Sequence, residues 1–131
     1  MKQDIQSNED IELLVKSFYT KAREDEVIGY IFNEVVQIHW EKHIPKITGF
    51  WGHLLFQNGA YKGNVTIKHL ELNQLEPLKK VHFERWIKIW QETVSEHFIG
   101  EKATEAVEKA TLLKNLMMYK TAASQDKNFI Q

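Results

Sequence analysis

Apolar residues recur at helical spacing along most of the chain. Ile11, Leu14, Val15, Phe18, Tyr19 and Ala22 fall on one stripe of a helix, and Ser7 or Asn8 ahead of them is of the type that caps a helix start. The segment Val27-Ile28-Gly29-Tyr30-Ile31-Phe32, after the acidic Glu24-Asp25-Glu26, predicts a turn leading into short helical pieces. Pro45 suits the first turn of another helix, where its missing N–H is harmless; His43, Ile47, Phe50, Trp51 and Leu54 then share a face that is apolar except for the imidazole at its entrance. Turn formers from Gln57 to Asn64 predict an exposed connection. Beyond Pro77, the positions of Leu78, Val81, Trp86, Ile89, Trp90 and Val94 predict a long helix closed by Gly100. Ala103, Ala106, Val107, Ala110, Leu113 and Met117 form the stripe of a last one. No repeat divides the sequence, so residues 1–131 are expected to form one domain, with 1–8 and 122–131 as flexible tails.

One stretch reads two ways. Val65-Thr66-Ile67-Lys68 alternates like a strand, and Asn58-Gly59 upstream resembles a hairpin turn. Leu70 and Leu72 break that alternation, whereas Val65, His69 and Leu72 keep the spacing of a helix face. A short helix is the better fit, which makes the expected class all-α.

Composition narrows the function classes. At 131 residues the chain is long enough to bury about two-thirds of its unfolded surface in one core. Its 17 basic and 18 acidic residues leave no bulk field for nucleic acid or anionic lipid. With no cysteine there is no disulfide, thiolate nucleophile, iron–sulfur cluster or covalent c-type haem attachment, and a reducing compartment is compatible. The stretch from Met1 to Ser7 lacks the apolar centre of a signal peptide, and no run approaches the roughly 18 apolar residues of a membrane span. The expectation is a soluble cytoplasmic protein without nucleic-acid or membrane partners.

The candidate chemistry centres on His69, an imidazole among apolar neighbours with no thiol nearby, which suits a haem iron. Phe18-Tyr19, Trp40-Glu41-Lys42-His43 and His82-Phe83-Glu84-Arg85-Trp86 can supply polar groups for the opposite side. Each has a plainer reading: a histidine in an apolar segment is commonly a satisfied core residue, Tyr19 lies on an inward stripe, and Trp86 and Trp90 have the spacing of packing residues. Taken singly, His39, His53 and His97 have no comparable setting and suit surface or capping positions. A rival reading is a helical bundle holding a non-haem metal through His39 and His43, one helical turn apart. Trp40 stands where a zinc protease needs glutamate after the first histidine, and no glutamate lies three residues before any of the six histidines, as a di-iron site requires. A third reading is an interaction module with no cofactor.

The order of these segments resembles the truncated haemoglobins, and within them the third group. The resemblance spans nearly the whole chain and is carried by Phe18-Tyr19, Ile31-Phe32-Asn33, Trp40 with His43, Gly49-Phe50-Trp51, Gly59-Ala60-Tyr61-Lys62-Gly63, Lys68-His69-Leu70 and His82-Phe83-Glu84-Arg85-Trp86-Ile87. Glu24-Asp25-Glu26-Val27 fills the turn where other truncated groups carry glycine pairs, which favours the third group. The resemblance implies a truncated globin-like two-over-two helical sandwich around haem b, with His69 as the proximal ligand and Tyr19, His43 and Trp86 as the distal polar set. The cofactor contacts would come from Phe32, Ile47, Phe50, Trp51, Leu54, Leu72, Phe83 and Trp86, with Lys46 and Arg85 as partners for the haem carboxylates.

In such a pocket a diatomic ligand gains partial negative charge, which a phenolic O–H from Tyr19 and an indole N–H from Trp86 can stabilise. The implied function is binding of oxygen or another diatomic ligand such as nitric oxide or carbon monoxide. The resemblance also implies oxygen transport, and slow release suits scavenging or sensing better than simple storage. Nitric oxide dioxygenation or peroxidase-like chemistry would draw electrons from an external reductase. A monomer or weak dimer is expected.

Overall fold

The computed structural model describes residues 2–35, 37–57 and 78–124. Helix α1 (Asn8–Glu24) is followed by a wide π-helical turn (Ile31–Val35), then α2 (Trp40–Phe56), α3 (Lys80–His97) and α4 (Glu101–Ser124). Among the described residues α1 packs beside α2 and α3 beside α4, and the two pairs meet through α1 against α3 and α2 against α4. This is a two-over-two helical sandwich. None of its described helices is long and apolar enough to cross a membrane.

Local chemistry sets α1 as expected. The Ser7 hydroxyl accepts the Asp10 N–H at 3.2 Å, Glu9 and Asp10 occupy the first turn, and Lys21 and Arg23 the last. Each charge complements the helix dipole at its own end. Ile11, Leu14, Val15, Phe18 and Ala22 are buried, so the stripe points inward. On the facing layer Trp90 is 2% exposed; its ring stacks on Trp51 at 4.7 Å and its Nε1–H donates to the Ala106 carbonyl at 3.2 Å. The buried Ala103, Ala106 and Ala110 give α4 a face with little side-chain bulk toward the core.

Four expectations need correction. Helix α2 begins at Trp40 with His39 as its cap, which leaves Pro45 in the helix interior rather than in the first turn. Proline keeps a helical φ, and the carbonyl it deprives of a partner belongs to Glu41; both residues are exposed, so water can satisfy that carbonyl. In α3 Val81 is 53% exposed, while Phe83 and Ile87 are buried. Helix α3 also stops at His97, and Gly100 instead opens α4: its carbonyl accepts the Thr104 N–H at 3.0 Å. Gly100 has φ of 142°, and a Cβ there would stand 2.5 Å from Asp4 Cγ, so the position requires glycine.

The fourth correction follows from that contact. Residues 2–7 are not a loose tail: Ile5 is buried, Gln3 bridges to Phe98, and the Asp4 carboxylate accepts the backbone N–H groups of Lys102 at 2.9 Å and Ala103 at 2.8 Å. At the opposite terminus α4 continues through Ser124, beyond the expected end at residue 121. Burial alone would raise the Asp4 carboxyl, but the N–H donors of Lys102, Ala103 and Ile5 and the Lys102 charge outweigh it and hold its pKa below the usual value. A depressed carboxylate contributes stability that is present above its unfolded value, near pH 4, and is lost as pH falls through the lower folded value. Asp4→Ala is expected to destabilise the chain by about 1 kcal/mol at pH 7. Denaturant titrations at pH 7 and pH 3 check this, because the deficit should shrink in acid.

Candidate functional site

A cavity of about 960 Å³, counted to its open mouth, lies between the two layers. Tyr19, Phe32, Ile47, Phe50, Trp51, Phe83 and Trp86, seven of the residues singled out from the sequence, line it. His43 reaches it through Tyr19: His43 Nε2 and the Tyr19 hydroxyl share a hydrogen bond of 3.0 Å. Lys46 and Leu54 are not on its wall. His69 and Leu72, like the connection from Asn58 to Asn64, lie outside the described residues.

Tyr19 is held by aromatic edges. Phe18, Phe32, Trp40 and His43 surround its ring at 5.0, 5.7, 5.0 and 5.2 Å, each in an edge-to-face contact. These contacts fix the ring and leave the hydroxyl as its polar handle. Two adjacent elements arrange this: α1 places Tyr19 beside the inward-facing Phe18, and α2 places His43 in its first turns. Burial pushes the Tyr19 phenol well above its usual pKa, so it remains a protonated donor across the working pH range. Burial lowers the His43 pKa, and the cation of the exposed Lys46 one turn away lowers it further, so His43 is neutral at pH 7.

Trp86 faces the cavity from α3 and runs parallel to Trp90 at 6.5 Å. Among the described residues its indole N–H has no acceptor. Trp90 stacks between Trp51 and Trp86, as its spacing implied, and also borders the cavity. Arg85, considered as a carboxylate partner, donates Nε–H to Asp25 Oδ1 at 2.7 Å. Burial would raise the Asp25 carboxyl, but Arg85 and the N–H groups of Val27 and Ile28 hold it below the usual range. Arg85 thereby fastens the turn after α1 to α3. Gly29 in that turn would bring a Cβ within 2.8 Å of the Arg23 carbonyl, which keeps the turn tight.

Sequence reasoning missed His82 and the contribution of α4. His82 lines the cavity four residues before Trp86, a spacing that puts both on one face of α3. Its Nδ1 accepts the Lys79 N–H at 2.9 Å, so the neutral ring carries its proton on Nε2, which donates to the Tyr30 hydroxyl at 3.2 Å. Leu113 and Met117 complete the wall from the stripe already assigned inward, and Lys114 adds a cation.

The donor set fits haem. A flat aromatic macrocycle needs a wide apolar slot, which the phenylalanines and tryptophans supply, while Lys114 on the wall is a cation available to its carboxylates. The described residues do not build the rival metal site: among them no group of three or more His, Asp or Glu side chains could hold a metal ion, and His43 is hydrogen-bonded to Tyr19.

No protein-family profile matches the chain. It is 31% identical over 126 residues to the Group 3 truncated hemoglobin of Campylobacter jejuni, covering 92% of this chain and 97% of that protein. The crystal structure of a group III truncated hemoglobin from the same organism superposes with a TM-score of 0.78 at 30% identity, covering 91% of this chain and 94% of that one. The shared length, helical architecture and identity agree: the chain belongs to the third group of the truncated haemoglobins and is a globin-type haem protein.

Proposed function

We propose that the chain binds haem b through His69 and retains oxygen on the Tyr19 side of the cavity, releasing it slowly enough for reaction with a second small molecule. The observation that carries this reading is the 3.0 Å hydrogen bond between Tyr19 and His43 at the cavity wall, with the Trp86 indole facing the same space. The bound haem supplies an open coordination position for a diatomic ligand.

The remaining work falls to the side chains. When His43 donates Nε2–H to the Tyr19 oxygen, the Tyr19 O–H is turned away from His43 and toward a polarised ligand in the cavity. Trp86 can present a second N–H. The aromatic frame holds the Tyr19 donor in place before the ligand arrives, so little reorganisation is needed when charge develops on it. Phe32, Ile47, Phe50 and Phe83 exclude water and present an apolar route that suits uncharged nitric oxide.

The reaction we favour is nitric oxide dioxygenation, in which both oxygen atoms join nitric oxide to give nitrate with one electron from an external reductase. Peroxidase-like chemistry has no separate observation in its favour. Mixing the oxygenated protein with nitric oxide in a stopped-flow instrument tests the proposal. Stoichiometric nitrate and consumption at least about tenfold faster than free haem support it; a rate equal to free haem refutes it.

A further inference from the structure

The outward face of α4 takes no part in the cavity. Ala103, Ala106, Ala110 and Met117 bury the inner stripe of this helix. On the far side Leu112, Leu116 and Tyr119 are 68%, 43% and 72% exposed, and their spacing of four and three residues places them on one stripe. Two flanking charges belong to the same face: Glu108 one turn before Leu112, and Lys120 one turn after Leu116. Both are exposed, and among the described residues neither forms an ion pair, whereas the nearby Glu105 is within reach of Lys102 at 3.5 Å and Lys109 at 3.7 Å.

We propose that this face docks on the same face of a second copy of the chain, with the two α4 helices antiparallel about a two-fold axis. An isologous contact requires that each residue meet its counterpart reflected through one central level of the helix. Leu112 and Leu116 are centred on the level of residue 114, and so are Glu108 and Lys120. One register therefore sets Leu112 against Leu116 of the second copy and Glu108 against its Lys120, each twice. A parallel pairing in the same register would oppose Glu108 to Glu108 and Lys120 to Lys120, which disfavours it. The leucines and Tyr119 supply the apolar area, and the charges select orientation. A single helix pair buries less than a standard interface, so the dimer is concentration-dependent.

Sedimentation velocity of the full-length, haem-loaded protein over a wide concentration range tests the proposal, with circular dichroism confirming that each variant keeps its helix content. The native chain is expected to shift from monomer to dimer as concentration rises, and Leu112→Glu to stay monomeric. Glu108→Lys alone and Lys120→Glu alone should each weaken association about tenfold, because each places two like-charge pairs in the contact. The double variant should restore the dimer. A native protein that is monomeric at the highest concentration overturns the proposal. So do folded single variants that associate like the native chain, or a folded double variant that fails to recover.

Discussion

Oxygen is expected to leave Tyr19→Phe about tenfold faster than it leaves the native protein. The substitution deletes one oxygen atom and keeps the ring, so the packing of Phe18, Phe32, Trp40 and His43 around it is preserved. What is lost is a donor held at the cavity wall by its bond to His43. A hydrogen bond of this kind contributes about 1 to 1.5 kcal/mol net, and about 1.4 kcal/mol is a factor of ten in a rate. The raised pKa of the buried phenol keeps it protonated, so the tenfold difference should persist at mildly alkaline pH rather than vanish through ionisation. Stopped-flow displacement of oxygen by carbon monoxide gives the rate directly. An unchanged rate would remove Tyr19 from ligand retention and leave it as a packing residue.

A larger effect is expected at the proximal position. His69→Ala should lose haem during purification, and added imidazole should restore binding and the spectrum of the reduced protein. The apolar walls from α2 and α3 still offer burial to the macrocycle, but burial is non-directional and shared by many flat ligands. The iron bond supplies both direction and most of the selectivity, and the second imidazole nitrogen tunes it through its own hydrogen bond. His69 lies outside the described residues, so this reading rests on the sequence setting and on membership of the family. Haem retained by His69→Ala with an unaltered reduced spectrum would assign the ligand elsewhere, with cavity-lining His82 the first alternative to replace.

What was legible in the sequence depended on how far apart the partners lie. The stripes of α1 and α4 were legible because a period near 3.6 is written into neighbouring residues. The start of α2 was misread because Pro45 is a strong local signal for a first turn, yet tertiary packing carries the helix five residues upstream of it. The role of Gly100 was misread for a different reason. It depends on Asp4, whose carboxylate caps a helix 98 residues away, and no local pattern announces such a pairing. In α3, aromatic and aliphatic residues are dense enough to support more than one inward stripe, and the spacing alone does not show that Val81 is exposed while Phe83 and Ile87 are buried.

The site shows the same division. Tyr19, His43 and Trp86 were identified through the order of their segments, and the structure brings Tyr19 and His43 to hydrogen-bond distance and Trp86 to the same cavity. Leu54 shares the helical spacing of Phe50 and Ile47, but it sits a turn beyond Phe50 and packs against the core instead of the cavity. His82 is visible in the motif around Trp86, but its hydrogen bond to Tyr30, 52 residues away, has no local signature.

The most direct test of the account is the absorption spectrum of the purified chain titrated with haem. An intense violet band that saturates at one haem per chain, and shifts when the reduced protein meets carbon monoxide, is the expected result. A spectrum that remains that of free haem throughout the titration would contradict it.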